Sequence, residues 1–143
     1  YPPKTNAKMR EKDISHVGTS EVKLDILDNN MKEAIEGEKQ IAKPLVYFNE
    51  DKVVEEQVNM EGIDVVIAEG TYTTSLTNVH KKVFIDKNYF DTKKTRAERS
   101  REKQDEFLEK ILQIEHEIIS GHKSQAHLII TKDNELKKQH SYG

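Results

Sequence analysis

The sequence predicts an α/β fold: a mostly parallel sheet flanked by helices, with a small β-ribbon and an arginine-rich helix. Two observations predict it. Ile63-Asp-Val-Val-Ile-Ala68, Lys82-Val-Phe-Ile-Asp86 and Ala126-His-Leu-Ile-Ile130 are short, nearly continuous apolar runs rich in β-branched residues, the composition of strands covered on both faces. Around them lie stretches whose apolar residues recur at helical spacing, and strands alternating with helices indicate a layered sheet with parallel neighbours.

Residues 1–18 are polar, open with Pro2-Pro3 and close at Gly18, which predicts a surface loop. From Thr19, a hydroxyl cap followed by Val22, Ile26, Leu27 and Met31 predicts a helix over 19–37 that stops at Gly37. Pro44–Phe48 and Lys52–Val58 are β-prone runs joined by Asn49-Glu50-Asp51, so residues 44–58 are expected to form a two-stranded ribbon. The three apolar strands follow within 63–130. Residues 88–104 are charged, and Phe107, Leu108, Ile111, Leu112, Ile118 and Ile119 then mark one face of a helix ending near Gly121. Residues 131–143 read as a tail.

At 143 residues the chain has the length of one domain. Apolar and charged residues each make up 34%, which points to a thin core or to a sheet completed by further residues. Three strands are few for a parallel layer, so one or two more are expected upstream of Tyr1. The net charge of −3 is spread among both signs, which argues against a surface that coats nucleic acid or lipid headgroups. There is no cysteine, which excludes disulfides, thiolate metal sites and cysteine nucleophiles. No apolar run reaches the length of a membrane span and the start lacks the pattern of a signal peptide; a cytoplasmic location is expected.

Three motifs occur in a fixed order: Asp64-Val-Val-Ile-Ala-Glu69-Gly70; Phe84-Ile-Asp86, with Asp91-Thr92 leading into Arg96-Ala-Glu-Arg99-Ser-Arg101; and Lys123-Ser-Gln-Ala126-His-Leu-Ile-Ile130. Together, over roughly residues 19–130, they resemble the uridine kinase and phosphoribulokinase group of P-loop kinases: a strand ending in Glu-Gly, a Phe-Val-Asp strand followed by an Asp-Thr and an arginine-rich lid helix, and a Lys-x-x-Ala-Asp-x-Ile-Ile strand. The resemblance implies a single partial domain over 1–143, with a P-loop kinase-type sheet. None of the six glycines begins a Gly-x-x-x-x-Gly-Lys-Ser/Thr run, the loop that cradles ATP phosphates. The resemblance therefore places the P-loop and the acceptor-activating aspartate upstream, with Tyr1-Pro2-Pro3 as the tail of the segment after the second strand. Two departures concern the hairpin, where Val46 stands at the family's pocket tyrosine and Asp51 at its histidine. A third is His127, which replaces the aspartate of the last motif.

Glu69 ends an apolar run, where open α/β sheets bind ligands; the resemblance implies that it orients magnesium-bound water or a substrate hydroxyl, and the alternative is a carboxylate satisfied by a helix N-terminus. Arg96, Arg99 and Arg101 are the candidate nucleotide-binding residues, since guanidinium groups offset charge on a transferring phosphoryl group. Arg96 and Arg99 share a helical face and Arg101 points elsewhere; the alternative is a solvated helix laced to Glu98, Glu102 and Asp105. Tyr47, Thr71 and Tyr72 are the candidate substrate contacts, with packing or turn formation as their alternatives. Asp86 and Asp91 bracket the turn into the lid. His116, His122 and His127 lack the spacing of a zinc set.

The expected activity is an ATP- and Mg²⁺-dependent transfer of phosphate to a hydroxyl of a nucleoside-like or other small acceptor, with the 143 residues inactive by themselves. The alternative is a non-catalytic fragment, or a binding or oligomerisation module that keeps the kinase scaffold. Expected partners are the nucleotide and the acceptor, with a homo-oligomer if the Phe107–Ile119 stripe pairs with a second copy.

Overall fold

The computed structural model describes residues 1–99 and 106–139. The chain divides into two compact units, Tyr1–Val79 and His80–Gly143. The fold is mixed α/β, with a two-stranded antiparallel sheet and a three-stranded mixed sheet.

In the first unit, helix α1 spans Pro3–Lys12, where the sequence led to a loop. The correction has a local cause: proline is accommodated in the first helical turn, because the N–H it lacks has no intrahelical partner there, and Ala7, Met9, Arg10, Glu11 and Lys12 then favour helix. Its N-terminus is capped from a distance. Asp51, in the ribbon turn, accepts hydrogen bonds from the backbone N–H groups of Lys4 and Thr5 and from the Thr5 hydroxyl at 3.1 Å. Although burial works in the opposite direction, these donors and the nearby Lys4 charge hold the Asp51 carboxyl below the usual carboxylate range.

Glu21 ties α1 to the turn that follows. Its side chain is only 3% exposed; it receives the Arg10 guanidinium through Nε and Nη2, the Asn6 amide at 2.9 Å and the Gly18 N–H at 2.9 Å. Burial pushes this carboxyl up, but the hydrogen bonds from Arg10, Gly18 and Asn6 outweigh it and leave Glu21 below its ordinary value. The helix expected over 19–37 begins with a single 3-10 turn at Thr19–Glu21 and becomes helix α2 over Leu24–Glu36. Gly37 ends α2 at φ +82°, with its N–H and that of Glu38 closing back on Ala34 and Glu33, the left-handed cap that glycine adopts without steric cost.

Strands β1 (Gln40–Tyr47) and β2 (Lys52–Asn59) form the ribbon, longer at both ends than expected and antiparallel with Gln40 opposite Asn59 and Tyr47 opposite Lys52. Lys43 and Glu56 face each other and pair at 2.6 Å, an attractive cross-strand contact. The ribbon packs on α2, where the buried Asn30 donates to the Ala42 carbonyl at 2.9 Å. Asp28 of α2 caps the unit's last turn through the Thr77 hydroxyl and the N–H groups of Thr77 and Asn78; these donors, the Thr77 hydroxyl first, hold its carboxyl below the usual range.

Ile63–Ala68 is the main departure. It was expected as a strand buried on both faces, yet it belongs to neither sheet, and Val65 and Ile67 are 74% and 84% exposed. A buried parallel strand needs a neighbour along each edge; β1 and β2 pair with each other, and among the described residues no strand flanks 63–68.

The second unit is built on a parallel pair. Strand β3 (Val83–Ile85) runs alongside β4 (Leu128–Ile130), with Phe84 opposite Ile129, inside the expected segments. Helices α3 (Lys93–Arg99) and α4 (Glu106–Ser120) lie between them in the chain. Leu108 and Ile111 of the predicted stripe are buried, with Phe84 and Ala126. The expected tail contains a strand instead: β5 (Leu136–Lys138) pairs antiparallel with β4. The turn before it places Asn134 at φ +63°, a left-handed position that asparagine tolerates.

His127 fastens the start of this sheet. Its N–H donates to the Lys82 carbonyl at 2.9 Å, its Nδ1 accepts the Lys82 N–H at 3.0 Å, and its carbonyl accepts the Gln139 N–H at 2.9 Å. No helix among the described residues is long and apolar enough to cross a membrane.

Candidate functional site

The carboxyl end of β3 leads into a turn rich in side-chain hydrogen bonds. Asn88 Oδ1 accepts the N–H groups of Phe90 and Asp91, while Asp91 accepts the Asn88 N–H at 2.9 Å. Asp91 is thus a turn-forming residue, the local role that short acidic side chains often fill. The turn aims the Tyr89 carbonyl and the Thr92 hydroxyl at Arg96, one helical turn beyond Thr92. Arg96 Nη1 donates to the Tyr89 carbonyl at 2.6 Å and to Thr92 Oγ1.

Arg96 lines a cavity of about 200 Å³ between this turn and α4. Phe84, Leu112 and Ile119 give it an apolar wall, and Tyr89 meets His116 edge to face with ring centroids 6.0 Å apart. Its polar lining includes Lys87, Glu115 and Ser120. Asp86 and Lys123 close one side as an ion pair at 2.6 Å, and Lys87 reaches Asn134 Oδ1 at 2.9 Å. Arg96 Nε is enclosed and has no hydrogen-bond partner.

The other predicted site residues are placed differently. Arg99 lies in α3, and Arg101 lies outside the described residues. Glu69 and Thr71 belong to the first unit and are exposed; among the described residues, Glu69 makes no hydrogen bond or ion pair. Tyr72, expected at a pocket mouth, is 2% exposed and part of the first unit's core with Leu76.

The first unit contains a larger groove of about 1110 Å³, walled by Ile26, Leu27 and Met31 of α2, by ribbon valines and by the 63–68 segment. Side chains alternate faces along a strand, and it is Val46 that faces the groove while Tyr47, 44% exposed, does not line it. The groove therefore presents aliphatic surface where a tyrosine was expected to act.

Sequence reasoning missed Thr92 and Lys123 as partners of site residues. The signal for Thr92 was present: a hydroxyl four residues before an arginine at a helix start sits one turn away from it. Lys123 carried no such signal, because its contact to Asp86 arises from tertiary packing.

No family model, curated protein or solved structure matches the chain.

Among the described residues, no group of three His, Cys, Asp or Glu side chains could hold a metal ion. At Arg96, Nη1 is held by the Tyr89 carbonyl and Thr92 Oγ1, while Nε is enclosed without a partner.

Proposed function

We propose that this chain is the lid-bearing part of an ATP- and Mg²⁺-dependent phosphotransferase of the uridine kinase type, which phosphorylates a hydroxyl of a small acceptor. The observation that carries the reading is the placement of Arg96: a guanidinium held by two acceptors beside a cavity, just past the carboxyl end of a strand in a parallel pair. Ligands of open α/β sheets bind outside the carboxyl ends of strands, and phosphoryl transfer depends mainly on positioned cations. In this reading Arg96, with Arg99 and Arg101 following it, steadies the transferring phosphoryl group, and Glu69 orients magnesium-bound water or the acceptor hydroxyl. The P-loop and the aspartate that activates the acceptor are supplied upstream, and Ile63–Ala68 becomes one strand of a mostly parallel P-loop kinase-type sheet. The exposure of Val65 and Ile67 supports that part of the reading, because such a strand has apolar faces to cover.

The aliphatic groove at Val46 favours an acceptor other than uridine or cytidine, since valine offers no ring edge or hydroxyl to a base. A second reading, a non-catalytic module on the same scaffold, is favoured by the absence of a Gly-x-x-x-x-Gly-Lys-Ser/Thr run in these 143 residues. The two separate in a transfer assay. The polypeptide that contains this sequence and its P-loop segment is incubated with Mg-ATP and a panel of nucleosides and other small alcohols. Phosphorylated product supports the first reading, and its absence with every acceptor supports the second.

A further inference from the structure

We infer that α1 is a strap, hinged at Glu21 and latched at Asp51, and that opening the latch moves Tyr1 and Pro2 away from one end of the aliphatic groove in the first unit. The inference goes beyond the phosphotransferase reading and does not depend on it. Burial contributes little to holding this helix, since none of its residues is buried. A helix of 10 residues is also marginal by itself in water. Its shape therefore rests on polar contacts, and these gather at two carboxylates.

The two ends are held differently. Asn6 and Arg10, one helical turn apart on the same face, both donate to Glu21, whose side chain is 3% exposed, and Asn6 Oδ1 meets His16 Nε2 at 3.0 Å. Breaking an ion pair shielded from water is costly, which makes this end the hinge. At the other end Pro3 has no N–H, and the Asn6 N–H returns to the Pro2 carbonyl at 2.8 Å. Lys4 and Thr5 are then the donors that the first turn cannot pair internally. Asp51 accepts from both, and from the Thr5 hydroxyl, while Lys4 Nζ reaches the Asn49 carbonyl at 3.1 Å. These latch contacts are exposed to solvent, where water replaces a hydrogen bond at little cost. Tyr1 and Pro2 lie just outside the latch and line the groove of about 1110 Å³, with Tyr1 edge-on to His16 at 5.4 Å between ring centroids. Asp51 stands in the turn between β1 and β2, so the ribbon that walls the groove also carries the catch for the strap.

The test follows the full 143-residue chain by amide hydrogen exchange and by binding of Nile red, a neutral dye whose fluorescence rises in apolar surroundings. Asp51→Gly removes the catch and suits the left-handed backbone at φ +50°. Exchange at the Lys4 and Thr5 amides should accelerate about tenfold or more, the loss expected for a hydrogen bond to a charged group, with the α2 and ribbon amides unchanged. Nile red should bind more tightly by about the same factor, since a ligand that needs the open state binds in proportion to its population. Tyr1→Ala trims the end of the strap without touching the latch, so it should raise dye affinity while Lys4 and Thr5 stay protected. Should Asp51→Gly fail to fold, Tyr1→Ala decides the matter by itself. Unchanged dye binding in either folded variant overturns the strap's cover of the groove. Ribbon and α2 amides that accelerate together with Lys4 and Thr5 overturn the hinge and latch, because α1 would then open only with the whole unit.

Discussion

Removing the Arg10 side chain is expected to weaken the first unit more than any surface change. In Arg10→Ala the Glu21 carboxylate, 3% exposed, keeps the Asn6 and Gly18 donors but loses both guanidinium contacts. Stranding one member of a buried ion pair costs about 3–5 kcal/mol. Arg10 is 19% exposed, so water relieves part of the loss and about 3 kcal/mol is the expectation, against a typical total of about 5–15 kcal/mol. A loss of that size moves the urea midpoint down by about 1–3 M for ordinary slopes of small domains. The assay is urea unfolding of the 143-residue chain followed by far-ultraviolet circular dichroism. pH supplies a second readout. The folded-state Glu21 carboxyl lies below its ordinary value of 4.5, so its contribution is fully present above that value and is lost as pH falls through the lower, folded-state value. Between pH 5 and 3, wild type should therefore lose more stability than Glu21→Gln, which cannot titrate at that position. An Arg10→Ala midpoint within error of wild type, or identical pH slopes for wild type and Glu21→Gln, would refute the reasoning.

Four further outcomes are expected. Asp51→Gly keeps the left-handed turn at φ +50° but removes the acceptor for α1, so hydrogen exchange at the Lys4 and Thr5 amides should accelerate while the ribbon amides stay protected. His127→Ala should cost about 1 kcal/mol in urea unfolding, the worth of one hydrogen bond, with faster exchange at the Lys82 N–H; an unchanged Lys82 amide would count against the strand-fastening role. Lys123→Met should change stability by less than about 1 kcal/mol, because its ion pair with Asp86 is 44% exposed on both sides. Ile67→Ser, at 84% exposure, should stay within about 0.5 kcal/mol of wild type in the 143-residue chain; a loss of several kcal/mol would show that 63–68 is buried after all.

The parts of the structure legible in the sequence are those set by local pattern. The Val22–Met31 periodicity and Gly37 located α2 and its end, the Asn49–Asp51 turn located the ribbon, and the Lys82–Asp86 and Ala126–Ile130 runs located a parallel pair. What escaped depends on partners distant in sequence. α1 was hidden because Pro2-Pro3 looks like a breaker, although proline fits a first helical turn and Asp51 supplies the cap from 47 residues away. β5 was hidden because Leu136–Lys138 is polar and exposed, with its pairing decided by the turn at Asn134. Ile63–Ala68 misled in the other direction: its composition belongs to a covered strand, yet no described strand flanks it. At the site, charge logic named Arg96, Arg99 and Arg101 together without ranking them, and of these the structure places Arg96 beside a cavity; Tyr72, named as a substrate contact, is instead part of the first unit's core.

Whether Arg96 serves phosphoryl transfer can be decided by comparing two proteins in one assay. Turnover of Mg-ATP to a phosphorylated small alcohol is measured for the polypeptide carrying this sequence together with the P-loop segment that the proposal places upstream, and for the same polypeptide with Arg96→Ala. The proposal calls for measurable transfer in the parent and a fall of about 10²- to 10³-fold in the variant, the range found when one electrostatic stabiliser of a transition state is removed. Equal turnover in both, or none in the parent with any acceptor, would contradict it.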